Sequence, residues 1–592
     1  MGHKFHIPVL GLGYSIDTPL KVARYGISSV VSVVDDDLIE RMREYHSEKN
    51  NEEFIAIHKT EPDARARRIT AYLNLLEKLV NRQFDSLKNE PFEPDSDITR
   101  YLELLPESSI LKQGYELMQE FPDNESKPIF KDILRKELKK GSIDVNIMAK
   151  VDKMNFNASG EFMGEQNTDA LAALRGFAQS NLESSVILSA GMNPKLYSYL
   201  ETFPDFLPDH RAKLKKKITL KVSDFRSAFI QAKFLAKKGL WVSEFRIESG
   251  LNCGGHAFAT DGYLLGPILE EFKQRRMEMI DDLYQIYRQA LINKEVIFSG
   301  IPSQKVSVQG GIGTADENSF LLKHYHLDAT GWGSPFLLVP EATNVDSDTL
   351  KQLEHAVEDD FYLSNSSPLG ILFNSFKGSS SEKLRLERIK KNRPGSPCTK
   401  KFLVSNTEFT EQPICTASRE YQNLKINQLK TLDLPTEEYQ QQVDAVTEKI
   451  CLCEGLCSSA YIKYNIVKPK ENKAVAICPG PNLAYFSRTY TLDEMVKHIY
   501  GSLDLLQQVK RPHLFINELN LYIDYLQKEL AAQVKTLTDK KQKYLLKFRT
   551  ELEQGIIYYK QLFPQLISQK QKLTDLLKDL YTAEKKLSSL IF

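Results

Sequence analysis

The stretch KVSVQGGIGTADENSFLLKHYHLDATGWGSPFLLV, from Lys305 to Val339, decides the fold. It opens with an apolar, β-branched run that ends at Gly310 and Gly311. ADENSFLLKHYH then has the composition of a helix, and LDATGWGSPFLLV is a second strand-like run that carries its own glycines. A strand, a helix and a strand in this order predict a parallel β-α-β unit.

The same alternation runs through the rest of the first 345 residues. Strand-like runs separated by helical segments are FHIPVLGLG, ISSVVSVVDD, SIDVNIMAKV, SSVILSAGMNP, KKITLKVS and WVSEFRIESG, and with the two runs above they make eight. Eight alternating strands predict an α/β fold of the TIM (β/α)8 barrel type, with a doubly wound open sheet as the alternative. Glycines and polar residues recur after the strands, where such barrels bind ligands, and this favours the barrel over residues 1–345.

The composition changes twice outside these strands. Residues from about 40 to 140 are charged and helical, which predicts a helical insertion after the first strands. Residues 346–480 mix Ser, Gly, Pro and basic residues with six of the seven cysteines, and we predict a linker or accessory region there. Residues 481–592 are predicted to be α-helical.

The C-terminal helices carry an apolar stripe at helical spacing. Its members are Leu519, Ile523, Leu526, Leu530, Val534 and Leu537. Packing within the chain is the favoured explanation, and a homo-oligomer or a protein partner bound through these helices is the alternative.

Charge is balanced, with 78 Lys and Arg residues against 78 Asp and Glu residues. No global field draws the chain to nucleic acid or to an anionic membrane, so neither is expected as a partner. The first apolar run is too short for a secretory signal, and no window approaches the roughly 18 apolar residues of a membrane span. We expect a soluble cytoplasmic protein with reduced thiols and a small-molecule substrate.

The segment IESGLNCGGHAFATDG, from Ile247 to Gly262, follows the sixth strand. Two glycines before His256 remove side chains from the backbone beside the imidazole, so a flat ligand can approach closely; an ordinary tight loop is the alternative. An imidazole can act as a general base near neutral pH, which makes His256 the candidate catalytic residue. Glu248 is a candidate to hold that imidazole. Cys253 is more typical of a small buried apolar residue than of a nucleophile.

Four motifs, in order along the chain, resemble the nitronate monooxygenase family, formerly called 2-nitropropane dioxygenases. Its relatives include the flavin-dependent enoyl-acyl-carrier-protein reductase II. The motifs are IPVLGLGYSIDTPLKVARYG, DVNIMAK, ESGLNCGGHAF and VSVQGGIGTADENSFLLKHYHLDATGWGSPFLLVPEA. The resemblance covers roughly the first 345 residues. The chain departs from the family in the long insertion, in LNC before Gly-Gly-His, and in Ser-Pro after the last barrel glycine.

The resemblance implies FMN as cofactor, bound at the strand ends, with NAD(P)H as a further cofactor in the reductase relative. It places the FMN phosphate on backbone amides of the later glycines, the ring near the early strands, and Lys221 at the pyrimidine edge. The implied cofactor residues are Gly11, Gly13, Asn146, Lys221, Gly255, Gly310, Gly311, Gly331, Gly333 and Ser334. His256 then removes the proton next to a nitro group, and Glu248 holds His256 or a ribityl hydroxyl.

We therefore predict an FMN-dependent oxidoreductase similar to nitronate monooxygenase, acting on a nitronate-like or other small acidic-carbon substrate. The first alternative is an FMN- and NAD(P)H-dependent enoyl-thioester reductase of lipid or polyketide synthesis. The second is a non-catalytic barrel that serves as a scaffold, with the helical region as its interaction arm. A test for bound flavin distinguishes the two enzyme functions from the scaffold function.

Three of the late cysteines, Cys451, Cys453 and Cys457, are close together in KICLCEGLCSS. Their C-x-C and C-x3-C spacings differ from the C-x2-C pattern of common zinc and iron-sulfur sites. Unliganded thiols are therefore favoured, with zinc or an iron-sulfur cluster as the open alternative.

Overall fold

A closed parallel barrel forms the first part of the chain. The computed structural model describes residues 2–122, 126–147, 152–157, 159–189, 191–257, 261–532, 538–566 and 570–590. Its strands are β1 (Phe5–Ile7), β2 (Ser28–Ser32), β3 (Ile143–Ile147), β4 (Ser185–Leu188), β5 (Lys217–Val222), β6 (Val242–Glu248), β7 (Lys305–Gln309) and β8 (Ala329–Gly331). Each strand pairs with the next in parallel, and β8 pairs with β1. The closure confirms the predicted TIM barrel and rules out an open sheet.

Helices connect the strands on the outside of the barrel, as expected for right-handed β-α-β crossovers. The connecting helices are α1 (Thr18–Val22), α7 (Asp169–Ala178), α8 (Pro194–Leu200), α9 (Phe225–Ala236), α10 (Leu265–Asn293) and α11 (Ala315–His324). The predicted helical insertion lies between β2 and β3. It consists of α2 (Asp36–Lys49), α3 (Ala64–Asn89), α4 (Asp97–Glu103), α5 (Ile110–Glu120) and α6 (Ser126–Glu137). Within it, α3 packs against α2 and against the barrel helix α7.

The last strand is shorter than the sequence suggests. LDATGWGSPFLLV is predicted as one strand, but β8 ends at Gly331 and Ser334–Leu338 forms a turn of 3-10 helix. Pro335 explains the difference, because proline lacks the N–H that a central strand would donate and suits the first turn of a helix.

The second half of the chain is helical with one small sheet. Its helices are α12 (Ser347–Glu354), α13 (Ser380–Lys390), α14 (Arg419–Lys430), α15 (Thr436–Thr447), α16 (Leu452–Lys463), α17 (Leu492–Tyr500), α18 (Leu514–Ala532), α19 (Asp539–Leu566) and α20 (Lys570–Ser588). Strands β9 (Phe361–Ser364) and β10 (Phe373–Phe376) pair in antiparallel fashion. The stretch from 366 to 398, predicted as loop and linker, therefore contains β10 and α13. Its mixed composition gave no indication that Phe373 and Phe376 are buried.

Both halves of the chain share one hydrophobic core. Buried side chains of the barrel and of the C-terminal helices belong to the same cluster of contacts. In the predicted apolar stripe, Leu519, Ile523 and Leu526 of α18 are buried within the chain, whereas Val534 and Leu537 lie outside the described residues. Within the described ranges, no helix is both long and apolar enough to cross a bilayer.

Candidate active site at the barrel mouth

A cavity of about 220 Å³ lies at the C-terminal ends of the barrel strands. Its floor comes from the residues that follow β1 to β5, and its roof comes from the second half of the chain. The floor includes Val9, Gly11, Ser32, Val34, Asn146, Ser189 and Lys221, and the roof includes Leu369, Ile371, Phe373, Phe402, Leu403, Leu452, Cys453, Leu456 and Cys478. The floor is therefore partly polar and the roof mainly apolar.

The cavity brings together five of the twelve residues that the sequence and the resemblance nominated. They are Gly11, Asn146, Lys221, Gly255 and His256. These five are spread over some 245 positions of the chain, and the parallel strands collect them because all strand ends of a barrel meet at one rim. The remaining seven lie beside or behind the cavity and make contacts with the protein itself.

Two polar side chains of the floor, Asn146 and Ser189, line the cavity. The hydroxyl of Ser189 is buried and has no hydrogen-bond partner among the described residues. A buried polar group that lacks a partner costs free energy, so such groups usually mark a place where a ligand or water binds. Ser189 was not among the nominated site residues, although it directly follows β4, at a strand end where such barrels bind ligands.

Lys221 is held in place by a line of polar groups that runs into the barrel. Its Nζ lies 2.7 Å from Oε2 of Glu248, and Oε1 of Glu248 accepts a hydrogen bond of 2.7 Å from Nε2 of Gln309. Both carboxylate oxygens of Glu248 are thus engaged, so this residue positions Lys221. Deeper in the barrel, burial together with the charge of Arg246 lowers the pKa of His6 to about 3. His6 is therefore neutral beside Gln309.

The loop before His256 depends on its two glycines. Gly254 and Gly255 both have positive φ angles, 113° and 81°. A Cβ atom at Gly254 would overlap the carbonyl oxygen of Cys478, whose oxygen also accepts a hydrogen bond of 3.0 Å from Gly255 N. The lack of side chains in this loop therefore lets the roof segment around Cys478 pack closely against it, and the imidazole of His256 lies in the cavity as a result.

His256 is fixed by the roof. Its Nε2 lies 2.7 Å from the hydroxyl of Ser367, and its ring meets that of Phe373 edge to face with centroids 5.0 Å apart. Two backbone hydrogen bonds, one on each side of His256, join this loop to β10. Ala257 N donates to Leu372 O, and Asn374 N donates to Gly255 O. Neither Ser367 nor Phe373 was foreseen, because the sequence offered no reason to place residues 365–374 at the barrel mouth.

Two of the late cysteines, Cys453 and Cys478, lie at the roof as buried thiols and line the cavity. Burial raises the pKa of Cys478 to about 12. Burial also raises the pKa of Cys253, whose thiol faces the backbone N–H of Gly310. Among the described residues, no three His, Cys, Asp or Glu side chains are grouped in a way that could hold a metal ion. These cysteines stay protonated and behave as small apolar residues.

The other nominated glycines are packed against protein atoms. Gly13 donates a hydrogen bond of 3.0 Å to Leu456 O of α16. Gly331 lies inside the barrel against His6 and Gln309. The remaining nominated residues, Gly310, Gly311, Gly333 and Ser334, contact the loop 251–253 and segments of the second half of the chain.

No protein-family model matches the chain, and neither does any curated protein. Solved structures do match. FabK from Thermotoga maritima is 9% identical over 89% of this chain and 96% of its own, with a TM-score of 0.37. Nitroalkane oxidase from Streptomyces ansochromogenes is 9% identical over 86% and 96%, with a TM-score of 0.36. The enoyl reductase domain of MlnA from Bacillus amyloliquefaciens is 12% identical over 67% and 93%, with a TM-score of 0.34.

These matches include an enoyl reductase and a nitroalkane oxidase. All identities are at or below 12% and all TM-scores below 0.4, so the barrel is established by the strand pairing of this chain itself.

FMN, which the resemblance implies, has a flat ring at one end and a phosphate at the other. The cavity suits the ring, because an amide, an unpartnered hydroxyl and a cation face an apolar wall across it. At about 220 Å³ it is smaller than the roughly 300–1,000 Å³ of sites that enclose a drug-sized ligand. The glycines assigned to the phosphate are covered by protein atoms. The residues present therefore fit the ring end of the cofactor and do not fit its phosphate end.

Proposed function

We propose that the protein is a flavin-dependent oxidoreductase whose active site is the cavity at the barrel mouth. One observation carries the proposal: Asn146, Ser189 and Lys221 converge on one wall of that cavity, and the buried hydroxyl of Ser189 has no partner among the described residues. They face an apolar roof. A flat ring with polar atoms along one edge matches such a wall pair better than a flexible or highly charged ligand does.

A bound flavin supplies two-electron redox chemistry. The chain's own residues bind and polarise it. The Asn146 amide can both donate and accept hydrogen bonds along a ring edge, and Ser189 adds a hydroxyl beside it. Lys221, held by Glu248, would place its ammonium group beside a bound ring. Because Glu248 fixes this group in advance, it would need little reorganisation to stabilise negative charge there.

His256 is proposed as the group that takes a proton from the substrate carbon. An imidazole can accept and return a proton near neutral pH, and this one lines the cavity. The Ser367 hydroxyl holds Nε2 and fixes the plane of the ring. The apolar residues of the roof exclude water from the same space. A small substrate with an acidic carbon, such as a nitroalkane that His256 converts to its nitronate, suits the limited volume.

The first experiment is to record the visible spectrum of the purified protein and to identify any chromophore that denaturation releases. Protein that comes without chromophore is then titrated with added flavin. Flavin binding supports the proposal, and turnover of a neutral nitroalkane that is lost in His256→Gln, while turnover of the preformed nitronate is retained, supports the role of the imidazole as base. Oxidation of NAD(P)H with an enoyl thioester as acceptor would instead favour the reductase. Failure to bind any flavin would refute the proposal and leave the scaffold alternative.

A further inference from the structure

A carboxylate of the chain occupies the place where an anion would bind at α11. Glu317 is the third residue of this helix, and its Oε2 accepts a hydrogen bond of 2.9 Å from Gly313 N. Its Oε1 accepts one of 2.7 Å from Leu514 N. The N-terminus of a helix attracts anions through its free N–H groups and its dipole. In α11 the carboxylate of Glu317, a residue of the helix itself, takes the place of a bound anion.

Arg511 neutralises this carboxylate from the other side. Its Nη1 lies 2.6 Å from Oε1 of Glu317, its Nη2 donates to Gly311 O at 2.6 Å, and its Nε donates to Oδ1 of Asn482 at 2.9 Å. The side chains of Arg511 and Glu317 are each only 3% exposed. Although burial opposes ionisation of Glu317, the Arg511 guanidinium holds the pKa of that carboxyl below its usual value. The pair is therefore a closed, internally neutral unit.

Chain atoms also fill the space next to the glycines. A Cβ at Gly310 would lie 2.7 Å from the Cα of Asn252, and one at Gly333 would lie 2.6 Å from the Cβ of Cys253. Ser334 is used as well, because its hydroxyl donates to Cys253 O and accepts from Gly480 N. The lack of side chains at these glycines is thus needed for packing of the protein against itself.

We infer that the cavity binds a flavin through its ring alone and makes no favourable contact with a phosphate at the ends of β7 and β8. This inference rests on the proposed function. A phosphate brought to α11 would find the Gly313 N–H already bonded to Glu317 and the Arg511 guanidinium already paired with the same carboxylate. The ligand class is then a flavin ring with or without a phosphate, so riboflavin is bound about as well as FMN.

The test is a titration of the purified full-length protein with lumiflavin, riboflavin and FMN, followed by flavin fluorescence. Riboflavin and FMN are expected to have dissociation constants within tenfold of each other. A preference for FMN of more than tenfold would overturn the inference, because it would require a phosphate site. If none of the three binds, the proposed function fails, and that result is distinct from a preference among them.

A variant of the cavity floor locates the binding. Lys221→Met keeps the length of the side chain and removes its charge. It is expected to weaken lumiflavin, riboflavin and FMN by the same factor, since all three share the ring. Weakening of FMN alone would place Lys221 at a phosphate and would also contradict binding through the ring.

Discussion

Gly254 and Gly255 are neighbours with similar backbone angles but different surroundings. Both adopt positive φ, which costs a residue with a Cβ about 1–2 kcal/mol. At Gly254 a Cβ would also overlap Cys478 O, whereas at Gly255 no atom lies within 4 Å of the same position. The first glycine is required by the roof of the cavity, and the second only by the turn of the chain.

This difference predicts unequal effects of alanine at the two positions. Gly255→Ala should lower the free energy of unfolding by about 1–2 kcal/mol, from backbone strain alone. Gly254→Ala should cost roughly 2 kcal/mol more, because the Cys478 segment must move. Urea denaturation of both variants measures the difference, and Gly255→Ala is the matched control. Equal losses would show that the roof does not press on Gly254.

Glu518 predicts a pH dependence of stability. Burial raises the pKa of this carboxyl to about 7, although Gly250 N and Leu265 N donate to it. The folded state then holds a proton that the unfolded chain releases near pH 4.5, so stability is highest below pH 4.5 and falls as pH rises through 7. A rise of this pKa from its ordinary value of 4.5 to about 7 corresponds to about 3 kcal/mol.

The comparison with Glu518→Gln isolates this effect. The free energy of unfolding of the wild type minus that of Glu518→Gln should fall by about 3 kcal/mol as the pH is raised from 4.5 to 8. His3 and His6, whose pKa values burial lowers to about 4 and about 3, act in the opposite direction but cancel in the comparison. Glu529→Gln, at a partly exposed position on the same helix, is the control. A constant difference across this range would exclude a titrating Glu518.

At the scale of elements, α16 explains the cluster of cysteines. Cys453 and Cys457 are buried on this helix, and Gly455 packs against Ala476. The Cys457 thiol donates to Asp35, which follows β2 and caps α2. The thiols therefore belong to the face by which α16 lies against the barrel mouth. Small apolar side chains at close spacing serve this contact, and no metal is needed to account for them.

The segment before β10 predicts a positioning role for Ser367. Ser367→Ala removes the hydroxyl from Nε2 of His256, together with one hydrogen bond that this hydroxyl accepts from Leu369 N. With turnover of a neutral nitroalkane as the assay, we expect kcat to fall about tenfold with little change in KM, because the imidazole loses its orientation while the binding surface stays. Ser366→Ala, whose hydroxyl bonds only within the β9–β10 region, is the control. An unchanged kcat and pH profile would mean that Ser367 does not position the base.

At the scale of the molecule, the barrel could be predicted and its cover could not. Alternating runs and glycines at strand ends are local signals, and they located β1 to β8 along with Asn146, Lys221 and His256. The roof depends on contacts between residues far apart, such as Gly255 with Cys478. Ser367 and Phe373 lie in a stretch whose composition is that of a loop. No local sequence pattern indicates that a segment forms the roof over strand ends that are far away in the chain.

The same long-range contacts argue that the barrel does not fold without the second half of the chain. A fragment of residues 1–345 would expose one side of the shared core, including Phe336 and Leu338. It would also leave Glu317 without Arg511, and an unpaired buried charge costs about 3–5 kcal/mol. Domains are stable by only about 5–15 kcal/mol, so these losses together exceed what the barrel can supply.

We therefore expect the fragment of residues 1–345 to lack a cooperative thermal transition, whereas the full-length chain unfolds in one. Circular dichroism during heating measures both, and size-exclusion chromatography separates a compact fragment from an aggregated one. Glu317→Gln in the fragment removes the unpaired charge but not the exposed apolar surface, so it should not restore the transition. A fragment that melts cooperatively at a temperature near that of the full chain would show that the barrel is an independent domain, with the roof added to it rather than built into its core.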